Sequence, residues 1–164
     1  MFPKLFDILA NMGIWIRLND KRTEPPSEEG RAWGEPAGNF ALSLASRGDE
    51  NVSILIKNLG VSVVHAQLPG WLQYLKVEIN GPDGAPVALK PFGKQALNDP
   101  HLAKSVERVF PAGKYLATDI PVGALYDMHQ AGSYRVRVSC PVPGEASSPQ
   151  VYSNEISVEK AMVY

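Results

Sequence analysis

The sequence predicts an all-β domain, an antiparallel two-sheet β-sandwich preceded by one short helix. Three observations carry this. Apolar and small or polar residues alternate in short runs, as in Phe40, Leu42 and Leu44 against Ala41, Ser43 and Ala45. That is the period of a strand with one buried face. The 14 Gly and 14 Pro punctuate these runs, the habit of proteins with frequent tight turns. About seven to nine such runs recur at regular spacing without an internal repeat, which suits a sandwich rather than a solenoid or propeller.

Composition bounds the function. The apolar share of 45% is ample for a core, and 164 residues suit one domain plus an extension, since one core commonly serves about 100–150 residues. With 16 basic and 17 acidic residues the net charge is -1. That balance provides neither the basic stripe of a nucleic-acid binder nor a polybasic patch for an anionic membrane. Cys140 is the only cysteine, so no disulfide can form within the chain.

Residues 1–18 read as an apolar extension. Leu5, Ile8, Leu9 and Met12 recur at helical spacing, with Pro3 in a first-turn position and Gly13 past the end. Lys4 supplies a basic start, but Asp7 and Asn11 interrupt the apolar run. The segment therefore reads as neither a signal peptide nor a membrane span, and the localisation stays open. A helix this short needs a surface to dock on. The expectation is its own domain or a second copy, the latter giving a homodimer, with an interfacial anchor as the alternative. Residues 19–38 read as a linker, polar and rich in Pro, Gly and Glu, in which Trp33 docks against the neighbouring sandwich.

Residues 39–160 form the sandwich. Strands are expected over residues 40–45, 52–57 and 61–67, then over 71–79 with Leu75, Val77 and Ile79 inward and Tyr74, Lys76 and Glu78 outward. The NGPDG turn at residues 80–84 should fold a short arm, 87–89, back as a hairpin. Residues 91–104 break the β rhythm, and Asp99-Pro100 signals a short helical turn. Residues 106–110 and 115–120 are expected as a strand pair around Pro111-Ala112-Gly113. A helical turn opened by Pro121 carries Leu125, Tyr126 and Asp127, and Gly132 leads into an alternating strand. There Tyr134, Val136 and Val138 share one face and Arg135 and Arg137 the other. A final strand covers residues 151–158.

The Gly132-x-Tyr134-x-Val136-x-Val138 run after an acidic turn resembles the corner of an immunoglobulin-like β-sandwich. In such a corner the tyrosine hydroxyl bonds back to the backbone a few residues upstream. By that reading Tyr134 is buried, with its hydroxyl on backbone within residues 126–130. The resemblance extends to WGEP at residues 33–36 and NVSILIKN at 51–58, which look like bacterial immunoglobulin-like domains. The later series FPAG at 110–113, LYD at 125–127, GSYRV at 132–136 and SNEISV at 153–158 is more particular. It is similar to the non-catalytic β-sandwich that precedes the catalytic domain of deuterolysin-like metalloendopeptidases. This likeness covers residues 33–158 and implies fold rather than activity. That family keeps its catalytic zinc motif in a separate domain, and this chain contains no His-Glu-x-x-His.

Residues with recognisable chemistry are few. His65, His101 and His129 are scattered, none with a second ligand at metal-binding spacing. No Gly-x-Ser-x-Gly elbow, phosphate-binding glycine loop or dinucleotide fingerprint occurs. Asp127 beside Tyr126 reads as turn chemistry, and Cys140 as a small buried hydrophobe. Catalytic, metal and cofactor residues are therefore not assigned. The candidate interaction surface is aromatic, Trp33 with Trp71 and Tyr74, although tryptophan in a sandwich more often fills the core. The resulting expectation is a non-enzymatic binding or accessory module for a protein partner. The alternatives are a peptidase inhibitor or pro-domain-like module using residues 91–104 or 141–149, and an enzyme whose three histidines converge.

Overall fold

The computed structural model describes residues 27–48, 50–145 and 149–162. The predicted N-terminal helix and the first part of the linker lie outside these residues. The described chain is mostly β, with antiparallel sheets. The strands are β1 (Phe40–Gly48), β2 (Asn51–Asn58), β3 (Val64–Leu68), β4 (Lys76–Asn80), β5 (Val106–Phe110), β6 (Tyr115–Ile120), β7 (Gly132–Pro141), β8 (Gln150–Tyr152) and β9 (Ile156–Lys160). Three short helices join them, α1 (Trp71–Tyr74), α2 (Pro91–Leu97) and α3 (Val122–Leu125).

The strands make three sheets, ordered β1-β2-β6, β3-β5, and β4-β7 with β8 and β9 in succession along the other edge of β7. One hydrophobic core takes residues from all three, and Phe40 and Phe110 meet in it edge to face at 5.3 Å. The alternation read from β7 holds: Tyr134, Val136 and Val138 are buried, Arg135 and Arg137 exposed. The Tyr134 hydroxyl donates to the Gln130 carbonyl at 2.7 Å, within the expected stretch of backbone.

Several expectations are corrected. Residues 71–74 form a helical turn, and the strand begins only at Lys76. Trp71, Leu72, Tyr74 and Leu75 fall at helical spacing directly after Pro69-Gly70, and the Gly70 carbonyl accepts the Gln73 and Tyr74 N–H groups. Residues 87–89 form no strand, although the chain does fold back after the turn: Pro86 bridges Asn80, the Val87 N–H reaches the Ile79 carbonyl at 3.0 Å, and Leu89 bridges Tyr126 instead. The helical turn expected after Asp99-Pro100 is present, the Asp99 carbonyl accepting the Leu102 and Ala103 N–H groups, but the sequence reading missed helix α2 (Pro91–Leu97) ahead of it. β5 and β6 do not pair with each other. Their connecting turn docks on the end of β2 (Asn58 N–H to Lys114 O at 3.0 Å, Gly113 N–H to Asn58 O at 2.8 Å), so β6 joins β2 while β5 goes to β3.

The final strand is broken by a side chain. Asn154 accepts the Leu44 N–H on Oδ1 at 2.8 Å and donates Nδ2–H to the Leu44 carbonyl at 2.9 Å, taking a strand's place along β1. Ser153 Oγ accepts the Val138 N–H at 2.9 Å. The Asn154 side chain thus joins β1 to the segment between β8 and β9, and Ser153 ties the same segment to β7.

Residues 27–36 have no regular structure, yet they are fastened to the sheet. Arg31 lies over the outer face of β1 and β2, donating to Ser43 Oγ (2.9 Å), Ser53 Oγ (3.1 Å) and both their carbonyls (3.1 and 2.8 Å). Lys57 Nζ reaches Glu28 at 2.6 Å, and the Gly34 N–H reaches the Leu42 carbonyl at 3.0 Å. A Cβ on Gly34 would sit 1.9 Å from the Tyr152 carbonyl oxygen, so only glycine lets the chain cross there.

The corner bond gives a direct test. Tyr134→Phe removes only the hydroxyl and is expected to lower stability by about 1 kcal/mol, the net worth of one hydrogen bond. An unchanged midpoint in denaturant unfolding would show that the bond contributes nothing.

Candidate functional site

The aromatic surface expected from the sequence is not assembled. Trp71 and Tyr74 are 6% and 8% exposed and belong to the core, because the helical turn of α1 rotates both rings inward. Their rings meet at 6.2 Å, and the Tyr74 hydroxyl donates to the Pro141 carbonyl. Trp33 stays half-buried on the strap, with Lys57 Nζ 5.9 Å from its ring centre. The helical spacing of Trp71, Tyr74 and Leu75 was the available signal, masked by the alternation that comes after it in β4.

The three histidines occupy separate, exposed places. His65 Nδ1 lies 3.1 Å from Glu107 on the β3-β5 ribbon, and His129 Nδ1 lies 3.1 Å from Asp127 before β7. The His101 backbone N–H donates to Asp99 Oδ1 at 2.9 Å in the turn after α2. Among the described residues no group of three or more His, Cys, Asp or Glu is placed to hold a metal. Cys140 is fully buried, and that burial pushes its thiol up to about 12, far from a reactive thiolate. Burial likewise raises the Tyr74 and Tyr126 phenols.

The structure instead draws together the loop between β2 and β3. Leu59, Val61 and Val63 are 45%, 98% and 51% exposed, three aliphatic side chains presented to solvent within five residues. Val61 and Val63 were expected inside a strand, yet β3 begins only at Val64. The physical reason is Asn58, the last residue of β2 and 1% exposed. Its Oδ1 accepts the Gly60 N–H at 2.9 Å, and its Nδ2 donates to the carbonyls of Ser62 and Phe110, both at 2.9 Å. A buried amide with its donor and acceptor groups satisfied outcompetes the sheet ladder for this backbone. From the other side, the carbonyl of Asn39, a residue held at φ 67°, accepts the Leu59 N–H at 2.7 Å. Asparagine tolerates that left-handed conformation better than most residues.

The loop is therefore held by hydrogen bonds while its apolar side chains point outward. Beside it opens a cleft of about 390 Å³, walled by residues 38–40 and 60–65 together with Pro143, Gly144 and Glu145. Its polar groups include Asn39, Ser62, His65 and Glu145.

Neither protein-family models nor curated proteins match this chain.

Asn58→Ala should leave the Gly60 N–H and the Ser62 and Phe110 carbonyls without their partner. The expected loss is on the order of 2–3 kcal/mol, the penalty for buried polar groups left unpaired. Hydrogen exchange at the Gly60 amide should speed up well beyond what the global loss explains. An amide that stays protected would show that the loop is held by something else.

Proposed function

We propose that the chain is a non-enzymatic binding module of immunoglobulin-like fold, which docks a protein partner through the β2–β3 loop. The fold part is supported by the pairing order. β1, β2 and β6 correspond to strands A, B and E of such a domain, and β4, β7 and β8–β9 to strands C, F and G, with Tyr134 bonded back at the start of F. The resemblance to the sandwich that accompanies deuterolysin-like metalloendopeptidases agrees with an accessory role.

One observation carries the binding part. Val61 is almost wholly exposed between Leu59 and Val63, on a loop whose backbone Asn58 has already ordered. Covering an aliphatic side chain fully stabilises by about 1.5–3 kcal/mol. Because the loop is ordered beforehand, little of that is lost to freezing it on association. Exposed aliphatics over a 390 Å³ cleft with a polar rim match the centre and edge of a protein interface.

A second reading uses the same loop. A fixed, projecting apolar tip also suits insertion into a peptidase cleft, as an inhibitor or pro-domain would use it.

With a photo-crosslinking residue at position 63, capture from the native organism should yield a defined partner. Val61→Asp should then weaken that partner about thirtyfold, the roughly 2 kcal/mol mark of a central interface residue, with an unchanged melting temperature. Equal capture by the wild type and the variant would end the proposal. Inhibition of the captured protein's peptide hydrolysis would select the second reading.

A further inference from the structure

Three of the arginines have polar partners in plain view. Arg31 bonds to Ser43 and Ser53, Arg47 pairs with Asp119 at 2.9 Å, and Arg137 pairs with Glu78 at 3.0 Å. Arg108 is different. It sits half-buried in β5, two residues from the core residue Phe110 and so on the same face of the strand. Its guanidinium carbon lies 4.1 Å from the centre of the Trp71 ring. Its Nε is buried without a hydrogen-bond partner, and no described residue forms an ion pair or hydrogen bond with it.

A guanidinium taken out of water without an anion is unfavourable. The indole face offsets part of that through its quadrupole but offers no acceptor in the plane of the N–H groups. What the stack does achieve is orientation. It holds a planar fork of donors with one face covered, the arrangement that meets a carboxylate through two parallel hydrogen bonds. Val106, on the same side of β5, is 46% exposed and adds an apolar contact beside the fork.

We propose that Arg108, stacked on Trp71, is a receptor for a carboxylate, supplied by a small carboxylic acid or by an acidic side chain of a bound protein. The proposal rests on Arg108 and Trp71 alone and does not depend on the role of the β2–β3 loop. Burial lowers the Arg108 pKa without removing its charge at neutral pH, so the fork stays cationic and ready to pair.

The test is a titration of the ¹⁵N-labelled full chain, followed at the Arg108 Nε–H resonance with ionic strength held constant by sodium chloride. Acetate, succinate and a capped glutamate-containing peptide should each give a saturable shift there. Arg108→Met, which keeps the apolar stem on Trp71, should abolish the accompanying change in tryptophan fluorescence. Arg108→Lys, which keeps the charge but loses the fork, should weaken the fluorescence response about tenfold. Tighter saturation by the capped peptide assigns the carboxylate to a protein partner, and equal or tighter saturation by succinate assigns it to a small acid. A stronger response to inorganic phosphate than to acetate would overturn the carboxylate assignment. A linear response indistinguishable from that to chloride would overturn the receptor altogether. So would a silent titration combined with a lowered melting temperature in Arg108→Met, since the stack would then be packing alone.

Discussion

The structure depends on one strand whose alternate residues are driven out of water while both its edges are hydrogen-bonded. In β7, Tyr134, Val136, Val138 and Cys140 are each 1% exposed or less. β4 pairs along one edge, and β8 and β9 share the other. Burying such side chains stabilises by about 1.5–3 kcal/mol apiece, and only the correct register keeps all four inside. A slip of one residue would place Arg135 and Arg137 in the core. The Tyr134 hydroxyl adds a further constraint, since its bond to the Gln130 carbonyl fixes where the strand is entered.

Away from β7 the assembly is held by buried and half-buried polar side chains that substitute for missing backbone partners. Asn154 pairs with Leu44 as a neighbouring strand residue would, and Asn58 closes the end of β2. Arg31 fastens the strap by reaching both serine hydroxyls and their carbonyls. Each works because its donors and acceptors are satisfied together; half-satisfied, the same groups would be destabilising. The neighbouring Asp119 is less complete. Its Oδ1 is buried without a partner, and burial raises its pKa despite the opposing pull of Arg47 and Arg31.

Both candidate sites lie on or next to the two-stranded β3-β5 ribbon. The exposed loop runs into β3, and Arg108 stands opposite Ala66 in the register. Here local rules and tertiary demands disagree: aliphatic residues face solvent, and the Nε of a half-buried arginine has no hydrogen-bond partner among the described residues. Such disagreements concentrate where a surface serves something other than its own fold.

The sequence by itself determined the β class, the limits of β5 and β6, the faces of β7 and the corner at Tyr134. The first three arise from period-two alternation and from glycine and proline turns, which act between near neighbours along the chain, and the corner from the resemblance of the Gly132–Val138 run to that of an immunoglobulin-like sandwich. Helix α1 was also within reach, since Trp71, Tyr74 and Leu75 carry the helical spacing, but the strand pattern after them overrode it. What only the tertiary structure decided is what depends on partners far apart in sequence. Nothing local says that β5 leaves β6 for β3, that Asn154 will bond to Leu44, or that Arg108 will lie on Trp71. The exposed loop was hidden for the same reason. Val61 and Val63 read as the start of a strand until Asn58 is seen to bond Phe110, 52 residues away. Alternation reports which face a residue would take in a strand, whereas whether the strand forms there depends on a hydrogen-bond partner that folding must bring in from elsewhere.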